Sequence, residues 1–288
     1  MKKERIFVWT CKAITLLAIS FLFFIFLFIA KESFIFFQKT SLLHFLTGSR
    51  WNPIADPPAF GLQPMICATV YVSLLAALIA LPIGVGMAIF LSVLAPQKIQ
   101  RILLPLIDLM AGIPSVVYGF VGLMIIVKFF ETRFSWSSGE SVLTGSILLA
   151  IMILPYIVST CCESMTKVLH HYQQTSRALS VSKWHMIRYL VIPSAKKAIL
   201  AALILSLSRA MGETMAVMMV IGNSPIFPHL FRKAETIPAL IALEMGGAAV
   251  GSLHYQALFA AGFILMFVLF AFNSFFFFIR KRIEEGIK

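Results

Sequence analysis

With 288 residues, 60% of them hydrophobic and only 12% charged, the chain lies far from the soluble norm of about 25% charged residues and reads as an integral membrane protein. Its 24 basic and 12 acidic side chains give a net charge of +12, but the excess follows the loops between apolar runs, so no nucleic-acid partner is expected. Four cysteines without ligand spacing, and no HExxH or Walker A pattern, point to no metal, no cofactor and no nucleotide cradle within the chain.

Apolar runs long enough to cross a bilayer occupy residues 11–30, 66–94, 104–129, 142–162, 198–221 and 256–279. They predict an all-α polytopic protein with six transmembrane helices. The first run follows MKKER like a signal peptide, yet it is too long for such a core and no A-x-A-like site follows, so it reads as a retained helix. The loop from Lys31 to Pro64 contains WNPIADPPAFGLQP, whose prolines cannot sustain a helix and predict an ordered irregular connection. The organisation expected is therefore an N-terminal helix and loop (1–64), a five-helix core (65–280) and a short tail (281–288).

The core spans are interrupted. The second carries Pro82, Gly84 and Gly86, and the third carries Pro105 and then AGIPSVVYGFVG, with Gly112, Pro114 and Gly119. Glycine and proline are common in membrane helices for packing reasons. A proline inside a span also frees a carbonyl, which is tolerable only against protein or a wet cavity. With Ser115 and Tyr118 alongside, Pro114 is read as a kink lining a pathway, and Asp108 is placed near the interface.

The segment from Glu163 to Lys197 holds six basic residues and one acid. Leu179, Trp184, Ile187, Leu190 and Val191 recur among them at helical spacing, which predicts one or two short helices across one membrane face and a turn at Pro193. Two readings fit: a basic helix on lipid headgroups, or a docking knob for a partner.

In the fifth span, LSLSRAMGETMAVMMVIGN carries Arg209 and Glu213. A four-residue offset places both charges on one helix face. Each costs about 2.5–3.5 kcal/mol near the bilayer centre, so the pair is expected to face protein or water. A transport pathway and an ion pair locking helix to helix both fit; on the first reading Glu213 neutralises Arg209 between passages, and Ser208, Thr214, Ser115 and Tyr118 are candidate neutral donors. After Gly222 a long loop runs to Gln256, in which Thr236 caps a short helix, Ile237 to Met245. With the N-terminus placed inside, 16 basic residues fall on inner segments and 7 on outer ones, so both termini are expected in the cytoplasm.

The 163–197 segment resembles the coupling signature of ABC importer permeases: Glu-Ala-Ala, three residues, Gly, nine residues, Ile, one residue, Leu-Pro. Here the register gives Gln174-Thr175-Ser176, Ser180, Leu190 and Ile192-Pro193. The spacing matches, while Gln replaces Glu and Ser replaces Gly. Tyr71–Pro96, Ala111–Leu123, Ala150–Ile157 and Ser208–Asn223, with its GETMAV run, are similar to phosphate-importer permeases of the PstC type. The resemblance implies a type I importer permease fold in a bacterial cytoplasmic membrane, and an ATPase dock formed by Gln174, Thr175, Ser176, Leu179, Ser180, Trp184, Ile192 and Pro193. It further implies a PstA-like sister permease, a PstB-like ATPase dimer that hydrolyses the ATP, and a PstS-like extracytoplasmic phosphate-binding protein. Lipid surrounds the rest. Three other readings stay open: a permease for sulfate or molybdate, a gradient-driven carrier, and an intramembrane enzyme.

Overall fold

The computed structural model describes residues 2–134, 138–178 and 182–285. Helix α1 (Lys2–Lys39) leads through α2 (Leu42–Thr47) into a two-residue ladder, β1 (Trp51–Asn52) antiparallel to β2 (Ala59–Phe60), with Trp51 opposite Phe60. Then come α3 (Gln63–Ile89), α4 (Gln97–Ala111), α5 (Ser115–Val121), α6 (Lys128–Phe134) and α7 (Val142–Ala178). The chain ends with α8 (Lys183–Met186), α9 (Ile192–Met211), α10 (Met215–Ile221), α11 (Ile237–Glu244) and α12 (Leu253–Glu285). Pro64 sits in the first turn of α3, where a missing N–H breaks no helical bond.

Six stretches among the described residues are long and apolar enough to cross a membrane: Arg5–Lys39, Gln63–Leu94, Ser115–Phe134, Val142–Leu169, Lys183–Met211 and Leu253–Ile279. The number agrees with expectation, but three spans differ in form. The third is not continuous over 104–129. α4 ends at Ala111, Gly112–Pro114 leave the helix, and the span starts at Ser115. The fifth breaks between Met211 and Met215.

The third difference is on the 163–197 segment. The fourth span runs on as one helix through Ala178 instead of ending near Glu163. No turn marks Pro193 either. A π-helical stretch, Ile187–Val191, joins α8 to α9, and Pro193 lies in the first turn of α9. The wider π turn absorbs the ring and the absent N–H without a stop.

The main core is the pairing of α3 with α7, joined by α9 and α10. Ala76, Ala80, Gly84 and Ala88 of α3 recur every four residues and are buried. Such small residues let backbones approach closely. At Gly84 a Cβ would lie 2.6 Å from Ile157 Cγ2, so only glycine fits.

A second core closes the end of the bundle that carries the hairpin. It joins Phe36, Phe45, Trp51, Phe60 and Met65 to Ile237, Leu240, Ala257 and Leu258. Aromatic pairs knit it together, with Phe36 edge-on to Phe45 at 4.9 Å and Trp51 to Phe60 at 5.5 Å. α11 forms as the cap rule requires: Thr236 Oγ1 accepts the Ala239 N–H.

Candidate substrate pathway at two helix breaks

Both interruptions put functional groups where a regular helix could not. Gly212 ends α9 and Glu213 and Thr214 are non-helical before α10 resumes. Glu213 therefore does not share a helix face with Arg209. Its Oε1 accepts the Ala216 N–H at 3.3 Å and caps the start of α10. The expected Arg209–Glu213 pair is absent from the ion pairs among the described residues. The reason is Gly212, a poor helix former that stops the turn on which the offset depended.

Arg209 lies in the last turn of α9 and is exposed on the chain. Its guanidinium carbon stands 4.4 Å from the ring centroid of Tyr156, on α7. The Tyr156 hydroxyl donates to the Ala111 carbonyl at 3.0 Å, and the Tyr118 hydroxyl donates to the Met110 carbonyl at 2.9 Å. These carbonyls close α4; Met110 also accepts turn bonds from the Gly112 and Ile113 N–H, while the break at Gly112–Pro114 takes from Ala111 the donor a longer helix would supply. Two tyrosines therefore cap one helix end, and one of them carries the arginine.

The other expected residues fall into three groups. Ser208 Oγ lies 2.9 Å from the Ile204 carbonyl and 2.7 Å from Asn273 Oδ1 of α12. Thr214 Oγ1 makes a long bond, 3.4 Å, to the Gly212 carbonyl. Tyr118 already spends its proton on Met110, so neither it nor Ser208 offers an uncommitted donor; Ser115 opens α5 and Pro114 precedes it. On the docking segment, Gln174, Thr175 and Ser176 lie on the helical backbone of α7, while Leu179 and Ser180 fall outside the described residues. Trp184 is 69% exposed on α8, a large aromatic left unpacked by this chain.

Tyr156 and Asn273 were missed from sequence. Each had a signal: Tyr156 follows Pro155 in the fourth span, and Asn273 interrupts the phenylalanine run of the sixth. Asp108 hydrogen-bonds Ser159 at 2.9 Å, tying α4 to α7.

The family described as binding-protein-dependent transport system inner membrane component matches residues 80–288. The chain is similar to the probable ABC transporter permease protein YqgH of Bacillus subtilis (strain 168), 37% identical over 271 residues that cover 94% of this chain and 87% of that one. It is also 37% identical over 246 residues to the phosphate transport system permease protein PstC of Mesorhizobium japonicum, covering 78% and 74% of the two chains. The probable PstC of Methanocaldococcus jannaschii is 32% identical over 301 residues, covering 96% and 94%. Among solved structures, a chain of the inward-facing MetNI methionine ABC transporter superposes with a TM-score of 0.60 at 13% identity, covering 76% of this chain and 94% of that one.

Proposed function

The chain belongs to the family of binding-protein-dependent transport system inner membrane components, and on that premise we propose that it passes inorganic phosphate through the membrane as one of two permease subunits of an ATP-driven importer. As an ABC importer permease it is a multi-pass inner-membrane transport subunit, and the family implies an ATPase and a binding protein as its partners. The phosphate assignment draws on the relatives named PstC and on the chemistry of one residue. Arg209 is exposed, within the polar end of a spanning helix, and has no carboxylate beside it among the described residues. That observation carries the proposal.

An uncompensated guanidinium is unstable against lipid, so it faces a wet path or a neighbouring subunit. Phosphate presents several oxygens and up to two charges, which the planar fork of Arg matches bidentately. A lone cation also meets the need for an attraction weak enough to let the ion leave. The excess of basic residues on the 163–197 side supports a cytoplasmic position for both termini. The end of α7 with Gln174, Thr175 and Ser176, and the exposed Trp184, form the surface offered to a PstB-like ATPase. The hairpin end is then outer, toward a PstS-like binding protein, and a PstA-like permease completes the conduit.

The test is phosphate uptake by Arg209→Gln in the assembled complex, with co-purified ATPase as the control for assembly. Losing a charge-assisted pair lowers uptake by at least about tenfold. Wild-type uptake would reduce Arg209 to a structural residue. Competition by sulfate and molybdate in the same assay identifies the anion.

A further inference from the structure

We infer that Tyr156 is the positioning residue for the pathway arginine: its ring holds Arg209 by its face, so that the N–H edges of the guanidinium stay available to an anion. The inference rests on the reading that Arg209 meets phosphate.

A free Arg side chain samples many rotamers, and ordering it costs entropy. A carboxylate would order it, but would also occupy the bidentate edge and cancel the charge. An aromatic face attracts the cation through the ring quadrupole and leaves the donors unused. The structure shows the second arrangement. The guanidinium carbon is 4.4 Å from the Tyr156 centroid, and among the described residues no side-chain hydrogen bond or ion pair engages Arg209.

The ring itself is held from two sides. Pro155 and Ile157, its chain neighbours on α7, are buried, and Ile157 packs into the notch left by Gly84 of α3. The far end of the ring is fixed by the hydroxyl bond to Ala111, the last residue of α4. Tyr156 therefore joins α4, α7 and α9 at one point. It sits on the same unbroken helix whose backbone continues to Gln174 and Ser176. A shift of α7 against α4 re-aims Arg209 directly.

Three variants read this out, each assembled with its partner subunits and assayed with saturating phosphate-loaded binding protein, so that the rate reports passage and not capture. Tyr156→Phe keeps the ring and is expected within about threefold of wild type. Tyr156→Leu loses the ring and is expected about tenfold down, equivalent to about 1.4 kcal/mol. In an Arg209→Gln background, Tyr156→Leu is expected to cost nothing more, because the ring acts only through the arginine. Co-purification of the ATPase checks folding, and Tyr156→Met, which also removes the ring and carries the same expectation, takes the place of a leucine variant that fails it. A leucine variant at wild-type rate overturns the assignment. So does a phenylalanine variant as impaired as leucine, which would place the role in the hydroxyl anchor, and so does an undiminished leucine effect without Arg209. Wild-type uptake by Arg209→Gln alone strikes instead at the phosphate pathway on which the inference stands.

Discussion

At Arg209 a charge is left exposed with an aromatic face beside it, whereas at the hairpin end Glu244 is enclosed by two donors. Trp51 Nε1–H donates to both Glu244 oxygens, at 3.1 and 2.9 Å, and His254 Nε2 lies 2.7 Å from Oε2. These bonds tie the hairpin, α11 and the start of α12 over the aromatic core beneath. Buried polar groups whose partners are all present rigidify a structure. A charge held only by its face is one still able to act. If Arg209 meets the anion as proposed, it is a residue kept ready for a passing ion, whereas Glu244 is used up in closing the fold.

The sharpest way to break this contrast is at the packing around the two helix breaks of the proposed pathway. α5 and α10 flank the two helix breaks and meet at Gly119. A Cβ there would stand 2.7 Å from Met219 Sδ and 3.1 Å from the Ala216 Cα. Methionine can swing away, but Ala216 is backbone at the start of α10, next to the turn capped by Glu213. Gly119→Val therefore pushes α10 outward and displaces both breaks, an overpacking cost of about 1–3 kcal/mol. We expect uptake in membrane vesicles to fall tenfold or more while the hairpin end keeps its hydrogen-exchange protection. Equal loss of protection at both ends would show that the two regions are one cooperative unit.

At the hairpin end the expected effects are smaller and of another kind. Glu244→Leu leaves the buried indole N–H and His254 without their acceptor, at a cost of about 1–3 kcal/mol. Thermal unfolding of the purified complex should show that loss, with vesicle uptake within about threefold of wild type. A tenfold drop in uptake at unchanged stability would make Glu244 part of the pathway and erase the distinction between the two ends.

The two regions were not equally legible. The six spans follow from apolar run lengths, and the cap at Thr236 from a Thr before an apolar turn, because both are local properties of the chain. The break between Arg209 and Glu213 also had local signals, Gly212 and then Thr214, but the apolar run on either side reads as one helix when only hydrophobicity is followed. The offset of four residues was real and its consequence was not, since a helix face exists only where the helix does. Tyr156 and Asn273 lie 53 and 65 residues from Arg209 and Ser208 along the chain, and nothing in local spacing announces such a contact. The continuation of α7 past Glu163 escaped for the opposite reason: polar and basic residues favour helix as readily as loop, and only packing decides how far the helix runs.

The smallest prediction concerns pH at the hairpin end. Glu235, in the loop before α11, is only 4% exposed. Burial, then the nearby charge of Glu244, pushes its carboxyl up to about 7 from an ordinary 4.5. The sign follows from proton binding. Between those values the closed hairpin end holds a proton that an opened, solvated Glu235 would release, so closure is favoured in acid. The advantage declines as pH rises through about 7, by at most about 1.4 kcal/mol per pH unit for one proton. The charge that acts on Glu235 is that of Glu244, which is bonded in turn to His254; Lys233, two residues before Glu235, pairs with Glu140 at 2.6 Å. A His254→Gln background removes the imidazole that shares Glu244, so the remaining slope reports Glu235. Hydrogen exchange over residues 42–62, corrected for the intrinsic pH dependence of exchange, should show protection falling from pH 5 to pH 8. Glu235→Gln in that background should flatten the profile. Uptake by these variants, which leave Arg209 untouched, should keep the pH slope that phosphate ionisation itself imposes. Parallel pH profiles with and without Glu235 would remove the buried carboxyl as the cause.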